Sequence, residues 1–423
     1  MKEVKCHWGW SGQLEGLRQS ERTYPNKTKR KHCRVSILWN TWIHRSKIKA
    51  RYKALPQSYA DIMLSAAKVS LAAILFLCCI IFANFVFFVI YNSDTTVSNI
   101  GETGYVCATN CVTGVPCQYP DELDFRIIVL TFNRPDSLRK CLSHVAKLDT
   151  LGQKVGVDIW IDRSKDGKVD RQTLDISQLF QRKWTLGQVC VHVQQRNAYI
   201  IGQWVDTWRP RENTREIALI LEDDIDISPL TYKWLKMVDS HFRTVPNIGG
   251  YTIQTENVNY VKDRIRPVTN TPKTDNVFIY RLFGTWGFSP KPNEWRNFQD
   301  WFHEMRKNKT FKPYMPGLAI NNWFKNFDKH GRADSMWEIW AIYFYNRTEL
   351  YTVFSNLKKF TGRKNTLLEG NRREAGLHFG KRESVDRSNQ LLLNWNSSFE
   401  QIPSRLPLHE FDGTVSRKID ITE

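Results

Sequence analysis

Between Phe125 and Phe242 the chain repeats one unit, a short apolar run followed by a helical pattern, and this limits its fold more than any other feature. "FRIIVLTF" reads as a buried strand, and "NRPDSLRKCLSHVAKL" as a turn and helix with Pro135 in the first turn. "VGVDIWID" is a second strand, ending at Asp162 and followed by the polar turn "RSKDGK". "VCVHVQQ" gives a third strand and "AYIIGQWVDTW" a helix. "EIALILEDD" is the next strand, and "SPLTYKWLKMVDSHF" a helix with Ser228 as N-cap and Pro229 at its first position. Strands alternating with helices call for an α/β domain with a mostly parallel sheet flanked by helices.

A second region is incompatible with that domain. From Val69 to Tyr91, "VSLAAILFLCCIIFANFVFFVIY" carries no charge and is long enough, as a helix, to cross a bilayer of about 30 Å. Residues 1–68 hold 15 Lys/Arg against 4 Asp/Glu, and positively charged flanks stay cytoplasmic. The basic region is too long for a cleaved signal peptide, so the run reads as a transmembrane signal anchor. The expected organisation is a basic cytoplasmic tail (1–68), the anchor (69–91), a stem (92–121), a lumenal domain (122–410) and a short C-terminal tail (411–423). The basic segment "KTKRKHCR" then serves topology or retention, and no nucleic-acid partner is expected.

Lumenal placement fits two further features. Asn308, Asn346 and Asn396 each begin an Asn-x-Ser/Thr sequon. Five cysteines lie beyond the anchor, and "CATNCVTGVPC" suggests a stem disulfide in an oxidising compartment. One thiol is left over, either free or paired between chains, so a homodimer, disulfide-linked or non-covalent, stays open. Zinc is disfavoured by the lack of a clear fourth ligand near the cluster.

In sheets of this kind ligands collect at the carboxyl ends of the strands. Three strands here end in polar or charged residues: Asn133 and Arg134, then Asp162, then Glu222, Asp223 and Asp224. Clustered carboxylates repel one another, and a divalent cation with oxygen ligands relieves that repulsion. Such a cation holds a diphosphate and stabilises the charge of a departing nucleoside diphosphate. Solvated strand-end charge is the plain structural alternative. A lumenal phosphoesterase is a further one, but it calls for several histidines, and few lie near Glu222. Signatures of P-loop, zincin, nucleophile-elbow and dinucleotide-binding proteins are absent, as is the QxxRW element of processive polysaccharide synthases.

Two more elements contribute. "GTWGFSP" joins glycines that permit close backbone approach to an aromatic face suited to a sugar, which makes Trp286 and Gly287 candidates for holding acceptor or donor sugar. Most of the 16 tryptophans are expected in the core. In "SMWEIWAIYF", Glu338 sits between Trp337 and Trp340, where desolvation would make it a better proton acceptor. Pairing with an arginine at the sheet rim is its ordinary structural role.

The order of "IIVLTFNRPDSLRKCL", "VDIWIDRS", "ALILEDDIDISP", "RLFGTWGFSP" and "DSMWEIW" resembles nucleotide-sugar glycosyltransferases of the GT-A fold, the N-acetylglucosaminyltransferase I type in particular. The resemblance covers roughly residues 124–345. It implies that Asn133, Arg134 and Asp162 hold the nucleotide and that Glu222 and Asp223 face ribose or the metal's water shell. Asp224 would be the direct ligand of Mn2+ (or Mg2+), with Asp226 pointing elsewhere or capping the next helix. Glu338 matches the tryptophan-flanked acid that acts as base. His378, in "REAGLHFGKR", would complete the metal shell. The chain departs from the type at Asn197, which follows Arg196 where a histidine is expected, and this bears on ribose contact and donor identity. The expected protein is a single-pass type II Golgi membrane glycosyltransferase. It would carry a sugar, GlcNAc being the candidate, from a UDP-sugar donor to a glycan or glycoprotein acceptor with inversion. A catalytically inactive glycan-binding or scaffolding protein of the same fold is the alternative.

Overall fold

The computed structural model describes residues 107–109, 111–254, 258–259, 266–267, 271–361, 365–370 and 390–421. The expected anchor and His378 lie outside them. Among the described residues no helix is long and apolar enough to cross a membrane.

The repeat from Phe125 onward folds as its periodicity indicates. β1 (Phe125–Thr131), β2 (Val155–Ile161), β3 (Gln188–Val193) and β4 (Ile217–Glu222) are parallel neighbours in the order β3-β2-β1-β4. Between them run α1 (Pro135–Val145), α2 (Arg171–Lys183) and α3 (Tyr199–Asp206). α1 starts on Pro135, whose missing N–H costs nothing at a helix start. α2 is held at its start by Asp170, whose carboxylate accepts from Thr173 N–H at 2.8 Å.

Beyond β4 the sheet changes character. β5 (Ile225–Ile227) leaves the main sheet, and α4 (Thr231–Phe242) leads to β6 (Ile248–Thr252). β7 (Val277–Tyr280), β8 (Phe288–Pro290), β9 (Tyr351–Ser355), β11 (Arg405–His409) and β12 (Val415–Asp420) complete ten strands, while β10 (Leu368–Gly370) pairs only with β5. The order is β12-β11-β7-β9-β6-β8-β4-β1-β2-β3. β8 runs antiparallel to both β4 and β6, and β7 is antiparallel to β9. The sheet is therefore mixed, and mostly parallel only in its first half. Three- and four-residue strands such as β8 and β7 carry too little periodicity to reveal their direction beforehand.

Two apolar cores sandwich the sheet. Phe125, Ile127 and Val129 face one, shared with α1 and α4; Ile128 and Leu130 face the other, shared with α3, α5 (Pro292–Lys307) and α7 (Glu338–Arg347). Between the last two, α6 (Ile320–Lys329) also joins the second core. Trp204, Trp208, Trp234, Trp295 and Trp337 are fully buried.

Three local expectations are corrected. Helix α4 begins at Thr231, not beside Ser228: Ser228 N–H bonds Leu367 O at 2.8 Å and its hydroxyl accepts from Leu230 N–H at 3.0 Å, so a turn precedes the helix. Residues 107–121 belong to the domain and not to a free stem. A Cys107–Cys190 disulfide joins them to β3, Cys117 exchanges backbone hydrogen bonds with Asp206 and Arg209, and buried Tyr119 donates to Thr207 O at 2.9 Å. Cys111 pairs with Cys117, so Cys141, on the buried face of α1, is the one thiol left over among the five. Finally, the expected boundary at 410 falls inside the β11–β12 hairpin, which extends the sheet to Asp420.

Candidate functional site

β1, β2 and β4 end side by side, and their ends are cross-linked by hydrogen bonds. Asp162 N–H donates to Thr131 O at 2.9 Å, and the Thr131 hydroxyl donates to Asp223 Oδ2 at 2.6 Å. Asp223 and Asp224 form the turn after β4 and are wholly buried. Arg134, at the start of α1, reaches both: its guanidinium pairs with Asp223 and lies 3.0 Å from Asp224 Oδ2. Burial alone would lower the pKa of Arg134, but Asp223 and Asp224 outweigh it and hold the guanidinium charged. Asn133, beside it, is exposed.

Glu222 points to the other face of the sheet, as strand alternation requires. Trp204 of α3 donates its indole N–H to Glu222 Oε1 at 3.2 Å. That indole stacks on Trp337, with ring centroids 4.2 Å apart, and Trp337 immediately precedes Glu338 at the start of α7. Burial, and then the charge of Asp224, push the Glu222 carboxyl well above its usual range; Glu338 adds to the repulsion and Arg134 opposes it. Asp223 and Asp224 thus pair with one guanidinium, and Glu222 adds its charge to theirs. The tryptophan-flanked acid and the acidic triplet, more than a hundred residues apart in sequence, are linked through the Trp204–Trp337 stack.

Asp162 is turned inward. Its Oδ1 accepts from Arg163 N–H and Ala198 N–H, both at 2.8 Å, and so fixes the loop that opens α3. Asn197 Nδ2 lies 3.5 Å from its other oxygen. Burial raises the Asp162 pKa to about 6 against the pull of those amide donors. Asp162 thereby positions the β3–α3 loop.

Gly287 is a packing residue. Its φ is +69°, and a Cβ there would meet Ile253 Cγ1 at 2.4 Å and Leu221 Cδ2 at 3.4 Å. Trp286 is half-buried against the first core, whereas Trp337 belongs to the second. The two tryptophan elements therefore pack on opposite faces of the sheet. Asp226 points elsewhere, in an ion pair with Lys140 of α1, and caps no helix.

The residues suit a divalent cation. Asp224 Oδ1 is buried with no hydrogen-bond partner among the described residues, and an oxygen left so among carboxylates is a ligand atom suited to such a cation. By contrast, the trio Asp158, Cys190 and His192 is no metal site: Cys190 is in a disulfide, and Asp158 is bonded to Arg126 at 2.8 Å and to His192 at 2.7 Å. No array of histidines stands near the acidic triplet among the described residues, as a two-metal phosphoesterase would need.

The sequence reading missed Thr131 and Trp204. Thr131, the one hydroxyl in the apolar run of β1, was a visible signal; the Trp204 contact is long-range and left none.

No family model matches the chain, and no curated protein matches it. Solved structures resemble parts of it. Mannosyltransferase PcManGT from Pyrobaculum calidifontis, in complex with GDP-Man and Mn2+, is 13% identical over 43% of this chain and 47% of that one, with a TM-score of 0.29. S. aureus TarS is 14% identical over 56% of this chain and 38% of that one, with a TM-score of 0.29. TarS 1-349 in complex with UDP-GlcNAc is 22% identical over 32% and 35%, with a TM-score of 0.23. The chain spans less than half the length of each.

Proposed function

We propose that the domain is a GT-A-type glycosyltransferase that carries a sugar from a nucleotide-sugar, UDP-GlcNAc being the first candidate, to a glycan or glycoprotein acceptor with inversion. The observation that carries this reading is the pairing of Arg134 with Asp223 and Asp224 at the carboxyl ends of β1 and β4, with Glu222 tied through Trp204 to Trp337, the neighbour of Glu338. Such a site has both halves of the chemistry: an electrostatic seat for a diphosphate and a separate carboxylate for the acceptor proton.

In this reading Asp224 would hold Mn2+ or Mg2+, with Glu222 and Asp223 beside it in the chain, and the cation would supply charge neutralisation for the leaving diphosphate. Arg134 orients the two aspartates and is placed to meet a phosphate. Glu338, at the start of α7, accepts the proton of the attacking hydroxyl. Trp286, on the opposite face of the sheet from Trp337, presents an aromatic face for a sugar. The apolar run 69–91 and its basic flank support a single-pass type II Golgi membrane protein with this domain in the lumen.

A thermal-shift series on the full chain in detergent, with UDP-sugars and with or without Mn2+, tests the proposal. Stabilisation by UDP-GlcNAc that disappears in EDTA and in Asp224→Asn supports it; no stabilisation by any nucleotide-sugar with any divalent metal refutes it. One observation favours a second reading, an inactive glycan-binding protein: Arg134 already pairs with both aspartates. Mn2+-dependent hydrolysis of a UDP-sugar separates the two, since a pure binder shows none.

A further inference from the structure

The three sequons beyond residue 300 sit in three different local structures. Asn308 follows the last residue of α5 and is exposed, with Lys309 and Thr310. Its Oδ1 accepts from Thr310 N–H at 3.0 Å and from the Thr310 hydroxyl at 2.7 Å. Asn396 is exposed, in an extended conformation, and its Oδ1 accepts from Ser398 N–H at 2.9 Å. In both, the amide oxygen is bonded to the residue two positions on, in an asparagine that is exposed. Turns of this kind close within three residues and need no tertiary support.

Asn346 differs. It is half-buried within α7, between buried Tyr345 and exposed Arg347. Positions i and i+2 of a helix do not face each other, and the Thr348 hydroxyl bonds back to Phe344 O at 2.8 Å.

We propose that Asn308 and Asn396 are N-glycosylation sites and that Asn346, with an equally good sequon, is not. The inference rests on the lumenal placement proposed above. In the transfer, Asn Nδ2 forms a bond to C1 of an oligosaccharide carried on a lipid pyrophosphate. The C1–O bond to the carrier breaks, the amide loses one proton, and the lipid pyrophosphate leaves. The Thr310 hydroxyl, donating to the amide oxygen, holds the asparagine in position for that attack.

The full chain, expressed in secretory-competent eukaryotic cells with an Asn-Gly-Thr acceptor tag appended after Glu423, is digested with a peptide N-glycosidase and followed by gel mobility and peptide mass. Asn308→Gln and Asn396→Gln should each remove one glycan, and Asn346→Gln none. Thr310→Ala should remove the glycan at Asn308, whereas Thr310→Ser retains it. A glycan on Asn346, or an unmodified Asn308 or Asn396 alongside a modified tag, overturns the site assignment while the lumenal reading stands. An unmodified tag together with three unmodified sequons overturns both.

Discussion

The indoles of Trp204 and Trp337 stack with centroids 4.2 Å apart and planes 18° from parallel. One belongs to the helix that donates to Glu222, the other to the turn that launches Glu338, so the stack fixes the spacing of two carboxylates from distant parts of the chain. Trp204→Phe keeps an aromatic ring and deletes the donor to Glu222. Loss of one hydrogen bond to a buried acid should cost about 1–2 kcal/mol in urea unfolding. An unchanged midpoint would show that the indole bond contributes nothing.

Arg134 is the counter-charge for Asp223 and Asp224. Arg134→Met leaves both carboxylates buried without it and should cost roughly 3–5 kcal/mol at neutral pH. A divalent cation should restore part of this, so the Tm increment on adding Mn2+ should be larger in the variant than in the wild type. Equal increments would mean that guanidinium and cation do not act on the same charge.

Asp162 gives a pH signature. Its folded pKa is about 6 against an ordinary value of 3.8, so between those pH values the folded protein keeps a proton that the unfolded chain releases. Its contribution is therefore most favourable below about pH 4, declines as the pH rises to about 6, and is level above that. The full difference amounts to roughly 3 kcal/mol. Asp162→Asn preserves an acceptor for Ala198 N–H and carries no charge. Denaturant midpoints from pH 4 to 7 should fall less steeply in the variant, and parallel profiles would refute the assignment.

Gly287 should tolerate no side chain. With φ at +69° and Ile253 against the missing Cβ, Gly287→Ala should lose about 2–4 kcal/mol by chemical denaturation. Wild-type stability in this variant would show that the loop repacks freely.

Much of the first half of the domain was legible in advance because its strands are long and buried and its helices amphipathic, so each carries its own period. β1 to β4, α1 and α3 lie where the apolar runs place them. The clustering of Arg134 with the acidic triplet also followed from position alone, since parallel strands deliver their carboxyl ends to one edge. The mixed second half was hidden because two- to five-residue strands are defined by their partners: β8 exists as a strand through β4 and β6. The segment 107–121 looked like a spacer because its composition is polar, and its attachment depends on Cys190 and Asp206, far along the chain.

The amino-acid order by itself therefore determined the alternating α/β pattern, the charge at the strand ends and the identity of the candidate acids, all properties written within a few neighbouring residues. Only the tertiary structure decided that Asp162 turns inward to amide donors, that Gly287 serves packing, and that Trp337, beside Glu338, stacks on the indole that donates to Glu222. Each of these depends on which distant groups share a desolvated space, and local sequence carries no record of that.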